Sequence, residues 1–151
     1  MIKLKITVIL LGFMQPLIIL YFFGADFKSF SKTWNTELEP LFILTNATTS
    51  YFLYGLKRWR ISAVLLMLLT AFSTVVYSDL HNFFAILFFI SVFIAFFEYK
   101  SLRYYPWVFL FVIGIGAIFS LFWLEFFGTW VICIYHLHVM NINLKFKNRG
   151  K

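Results

Sequence analysis

Residues 40–78 read PLFILTNATTSYFLYGLKRWRISAVLLMLLTAFSTVVYS, with Lys57-Arg58-Trp59-Arg60 dividing apolar runs at 40–56 and 61–78. A cation at the centre of a bilayer costs ~3 kcal/mol even on insertion-derived scales. The basic joint therefore belongs at a membrane surface, and its flanks are two spans that reverse direction there. Outward from this hairpin lie further apolar runs at 6–23, 81–97, 106–124 and 126–143. A perpendicular crossing takes ~20 residues, with ~17 acceptable, so 40–56 and 81–97 are minimal and draw on flanking Tyr or polar residues. The expected fold is an all-α integral membrane protein, a compact bundle of six transmembrane helices with short loops, forming one membrane domain over 1–151.

Composition points the same way. Of the 151 residues 62% are hydrophobic and 13% are charged, against about 25% charged in a typical soluble domain. Twenty-two Phe, eight Tyr and five Trp exceed what a small water-soluble core would bury, whereas lipid covers outward aromatics on every helix. Lys3 and Lys5 before the run 6–23 imitate a secretory signal, but Tyr21-Phe22-Phe23-Gly24-Ala25-Asp26 is a poor small-residue cleavage site, so a transmembrane helix is expected. Cys133, the single cysteine, makes an intrachain disulfide or cysteine-based zinc cluster unattainable.

The charges test the number of crossings. With six spans, the side of the N-terminus receives Lys3, Lys5, Lys57, Arg58, Arg60, Lys100, Arg103, Lys145, Lys147, Arg149 and Lys151 against Glu98. The other side receives Lys28 and Lys32 against Asp26, Glu37, Glu39, Asp79 and Glu125, and the two sides together give the net charge of +7. This segregation obeys the positive-inside rule with both termini cytoplasmic. A net positive charge arranged in this way reports membrane orientation, and no nucleic-acid partner is expected. A bacterial inner membrane is the expected location.

Polar residues within the spans are the functional candidates. Thr45, Asn46, Thr48, Thr49 and Ser50 form a polar block in the second span, where Asn46-Ala47-Thr48 imitates a glycosylation sequon at a depth no glycosyl acceptor occupies. Thr70, Ser73, Thr74 and Tyr77 in the third span recur at spacings of three and four, which puts them on a single helical stripe. The plain reading is interhelical hydrogen bonding, or hydroxyls bonded to their own helix carbonyls. The sharper one is an outward-facing pocket between the second, third and fourth helices, lined by Asn46, Thr49, Ser73, Tyr77 and His81. Asp79 suits the start of the fourth helix, as a cap or against its dipole. The catalytic alternative pairs Asp79 with His81 as base or metal ligand, with Glu125 and Asp26 at the same side.

His136 is a second weak metal candidate. It shares a helix face with Cys133, Met140 and Thr129, while His138, two residues on, points about 200° away. Gly114, Gly116, Ala117 and Ser120 permit close helix approach, with Gly116 and Ser120 the best pair for an internal neighbour, a second copy or another membrane protein. Pro40 and Pro106 suit first helical turns, and Tyr99, Tyr104, Tyr105 and Trp107 an interfacial belt. No Walker loop, Rossmann glycine run, HExxH or GxSxG occurs, which disfavours the soluble-enzyme classes that use them.

Ser29-Phe30-Ser31, Leu41-Phe42, Tyr51 to Tyr54, the Ser/Thr-bearing third span and His81-Asn82-Phe83-Phe84-Ala85-Ile86-Leu87-Phe88-Phe89 resemble the Frag1/DRAM/Sfk1-type group of six-helix membrane proteins and similar small bacterial membrane proteins. The resemblance covers roughly 28–97 and rests chiefly on the histidine followed by alanine and Phe pairs. It implies six helices and an outward-facing His81. Members include lipid-remodelling and autophagy-linked proteins, and the resemblance implies no catalytic mechanism.

The leading expectation is a noncatalytic lipid-interacting or membrane accessory/assembly protein, with membrane lipids as partners, lipid as the ligand class and no cofactor. One alternative is a metal- or water-dependent intramembrane lipid hydrolase or transferase. The other is a small oligomeric transporter or channel, which the Phe-rich middle of the spans opposes.

Overall fold

The computed structural model describes residues 2–24, 28–29, 32–33, 36–72, 74 and 76–149, and the side chains of 2–4 and 143–149 lie outside that description. Among the described residues there are six α-helices and no strand: α1 (Ile2–Phe23), α2 (Glu39–Tyr54), α3 (Arg60–Ala71), α4 (Ser78–Ala95), α5 (Tyr105–Phe119) and α6 (Leu121–Arg149). Four stretches are long and apolar enough to cross a membrane: Lys5–Phe23, Ser78–Glu98, Lys100–Phe119 and Leu121–Ile142. α2 has 16 residues and α3 has 12; at 1.5 Å per residue α3 reaches only ~18 Å.

The largest departure from expectation is α3, which stops at Ala71 rather than continuing to 78. Phe72 turns to an extended backbone (φ −98°, ψ 106°), and Ser73-Thr74-Val75-Val76 follows, a run whose β-branched members hold helix poorly. Of the expected Thr70, Ser73, Thr74, Tyr77 stripe, Thr70 lies in α3, Thr74 and Tyr77 lie beyond its end, and Ser73 falls outside the described residues. α4 begins at Ser78, three residues before the expected 81, with Tyr77 at its N-cap and no side-chain cap bond. Asp79 thus sits inside the first turn, where its charge favours the positive helix end, rather than capping it.

α3 and α4 run antiparallel. The Ser62 and Ser91 hydroxyls bond at 2.8 Å near one end, and His81 Nδ1–H donates to the Phe72 carbonyl at 2.8 Å near the other. At the Lys57–Trp59 joint, a single 3-10 turn, the buried Trp59 indole N–H donates to Glu98 Oε2 at 3.1 Å. Arg60 Nε–H donates to the Tyr54 carbonyl at 3.3 Å, placing a cation at the negative end of α2. α2 ends at Tyr54, not 56, and opens at Glu39 with proline in its first turn. The Thr36 amide and hydroxyl both donate to the Thr33 carbonyl just before it.

The reversal between α5 and α6 also falls elsewhere than expected, at Ser120 rather than Glu125. Ser120 is extended (φ −174°, ψ 167°), and its Oγ accepts the Trp123 amide at 3.4 Å, the bond of a serine N-cap. So tight a turn presses Gly116 against Leu124: a Cβ on Gly116 would lie 2.7 Å from the Leu124 amide nitrogen and Cα. Gly116 is therefore occupied by the chain's own next helix. Glu125, expected on the outer surface, lies one turn inside α6.

α1 lies antiparallel to α6, with Gly12 beside Cys133 and Thr129, Phe13 edge-on to Trp130, and Ile19 clustered with Phe122 and Phe126. The core is split. One cluster gathers Trp59, Phe96, Tyr105, Phe109 and Tyr135 with Val8, Phe52, Leu66 and Phe88. The smaller one is Ile19, Phe42, Phe122 and Phe126.

Candidate functional site

Between these clusters α1, α2, α3, α4 and α6 line a partly open cavity of about 110 Å³. Helical periodicity selects its walls. α6 presents Glu125, Thr129, Cys133 and His136, and α4 presents His81, Ala85 and Phe88, each set at spacings of three and four that share a helix face. α2 contributes Asn46, Thr49 and Phe52, and α1 contributes Val8, Gly12 and Gln15. Pro16 lacks an amide hydrogen to give to the Gly12 carbonyl one turn back.

Three of the five expected pocket residues, Asn46, Thr49 and His81, line the cavity together. Tyr77 does not; it is half exposed beyond the end of α3, because the helix that would have carried it inward is absent. Ser73 lies outside the described residues. The cavity is also placed differently from the expected pocket, since α1 and α6 supply half of its polar wall. The threonines divide as helix chemistry dictates: Thr45, Thr48 and Thr70 donate to the carbonyls of Leu41, Leu44 and Leu66 at 2.7–2.8 Å, so their hydroxyls are satisfied within their own helices.

His81 is 2% exposed. A carbonyl only accepts, so the bond to Phe72 requires the proton on Nδ1. The ring supplies a donor to backbone left without a helical partner where α3 ends. This accounts for a buried histidine at the head of α4 without catalysis. Asp79, two positions earlier, is exposed and faces away from it. Asp26 lies outside the described residues. No three His, Cys, Asp or Glu side chains among the described residues form a metal-ligand group.

His136 is held in place by rings, its centroid 4.6 Å from that of Trp59 and 5.4 Å from that of Phe52. His138 turns the other way, as the 200° separation predicts, and its Nδ1 hydrogen-bonds the Tyr105 hydroxyl. Residue Gln15 was not singled out in the sequence, although it is the only amide in the run 6–23 and adjoins proline. It is 5% exposed, His136 is 6% exposed, and Gln15 Nε2 and His136 Nε2 have no hydrogen-bond partner among the described residues. Ser50 Oγ, Trp130 Nε1 and Tyr135 Oη are also buried and unpartnered, but those residues do not line the cavity.

Comparison with protein-family models, with curated proteins and with solved structures finds no match for this chain.

Proposed function

We propose that this protein is a six-span membrane protein, both termini cytoplasmic, that binds a membrane-dissolved amphiphile noncatalytically in its interior cavity. One observation carries the reading: five helices converge on a chamber that is mostly aliphatic and aromatic, with a few inward polar groups at Gln15, Asn46, Thr49, Glu125 and His136. Small-molecule sites have this constitution, apolar walls for affinity and sparse polar groups for orientation. Polar and ionisable residues within membrane spans commonly mark such sites.

The crossing count is supported by the α3–α4 register. Ser62 stands level with Ser91 and Phe72 with His81, so α3 covers all but about the first turn of α4. The excess of Lys and Arg on one side is what the positive-inside rule expects of six crossings and supports the same count.

Extraction of the protein into polymer-bounded nanodiscs, followed by mass spectrometry of the retained lipids, tests the binding reading. The expected result is one amphiphile class enriched over the surrounding membrane, and enriched less in an Asn46→Leu variant. A lipid composition equal to that of the host membrane overturns the proposal.

A further inference from the structure

The two unpartnered cavity nitrogens define what the ligand must look like, given the chamber reading above. Gln15 Nε2 can only donate, so the ligand presents an acceptor to it; His136 Nε2 donates or accepts according to its tautomer, so its partner is a carbonyl or hydroxyl oxygen. Leaving either group unmet in a dry interior costs about 1–3 kcal/mol. Gly12 lies beside Thr129 and Cys133, which puts Gln15, three residues along antiparallel α1, about level with Gly128. His136 is then eight residues further along α6, or ~12 Å. Side chains on a helix lean towards its N-terminus. On antiparallel α1 and α6 that leans Gln15 and His136 towards one another, which shortens the gap along the axis. Two hydrogen bonds of ~3 Å each take up about half of that axial distance and leave roughly 6 Å along the axis for the ligand's own oxygen-to-oxygen span, the scale of one six-membered ring with oxygens at opposite corners.

Volume and charge narrow the class. At about 110 Å³ the cavity is smaller than the ~150 Å³ one that lodges benzene, so a single ring is the largest head it takes, and only with some outward movement of its walls. Phe42, Phe52, Phe88 and Phe89 supply aromatic walls. The lining contains Glu125 and neither Lys nor Arg, which is unfavourable for an anionic phosphate and compatible with a neutral head. We propose that the cavity receives the one-ring head of a membrane quinone or quinol, hydrogen-bonded between Gln15 and His136. Binding alone is proposed.

The test adds a decyl-tailed benzoquinone to the full-length protein in nanodiscs of phosphatidylcholine and follows thermal unfolding. A ligand that binds only the folded state raises Tm in proportion to the logarithm of its concentration over Kd. The wild-type Tm is expected to rise, and Gln15→Leu and His136→Phe each to weaken apparent binding about tenfold, the equivalent of one lost hydrogen bond. Tyr77→Phe, outside the cavity, is expected to respond as wild type. Both apolar replacements remove a group that is unsatisfied in the empty chamber, so the quinone-free variants are expected to unfold no earlier than wild type. A folded variant with a lost shift therefore reports the ligand. An equal shift in all proteins, or none in wild type, overturns the quinone assignment. If the lipid experiment still shows another amphiphile enriched, the chamber reading survives; if it shows none, both fall.

Discussion

Gly12 has no room for a side chain: a Cβ there would stand 2.6 Å from Cys133 Sγ. The obstacle is the end of a small side chain rather than backbone, so a partner substitution can relieve it. Gly12→Ala is expected to destabilise by about 1–3 kcal/mol, as overpacking does, and Cys133→Ala in the same chain to recover most of that. Thermal unfolding of the two single variants and the double variant measures the coupling; additive effects would show that the contact is not made. Gly116 is the contrasting case. Its obstacles are the Leu124 amide nitrogen and Cα and the Trp123 carbonyl, all at 2.7 Å. No side-chain substitution clears backbone, so Gly116→Ala is expected to lower Tm without any single-site rescue, and a Tm within a degree of wild type would contradict the close approach. Spacing to Ser120 singled out Gly116 in the sequence, but not its occupant, because a one-residue reversal cannot be inferred from small residues alone.

The way α3 ends governs the position of His81. Its Nδ1–H meets the Phe72 carbonyl, so His81→Phe keeps the aromatic volume and strands that acceptor. The expected cost is about 1–3 kcal/mol, read by denaturation, with His81→Gln recovering part of it because an amide can donate. If His81→Phe unfolds with the wild type, the ring does not hold the end of α3. The apolar run 61–78 offered no boundary at Ala71 because Phe, Val and Tyr continue beyond it, and hydrophobicity does not distinguish helix from extended chain within a span. The β-branched cluster was the available signal. α6 was more legible: the shared face of Thr129, Cys133 and His136 follows from helical spacing and is the face that lines the cavity. Gln15 was legible in principle as a lone amide in lipid-like sequence. Its depth depends on how α1 lies against α6, which no local pattern encodes.

At the scale of the whole molecule, the charge pattern leads to a direct labelling prediction. In a Cys133→Ser background, Lys57→Cys and Lys100→Cys are expected to react with a membrane-impermeant maleimide only from the side of the N-terminus, and Lys28→Cys only from the opposite side. Lys28, Lys57 and Lys100 are exposed, so access rather than burial decides the result, and labelling of all three from one side would refute six crossings. Membrane class and helical content were readable from composition because lipid imposes them on every residue. The cavity was readable only in part, since it is a property of five helices at once.

Ser120 is the sole residue between α5 and α6, and the two helices are locked at Gly116 immediately behind it. Such a pair has no slack with which to leave the membrane one helix at a time. Under a pulling force applied from the C-terminal end, α5 and α6 are expected to come out together in one extraction step, giving a single contour-length increment for the pair. By the same constraint, the tight Gly116 contact cannot form until α6 has been made, so the pair reaches its final packing only as a hairpin.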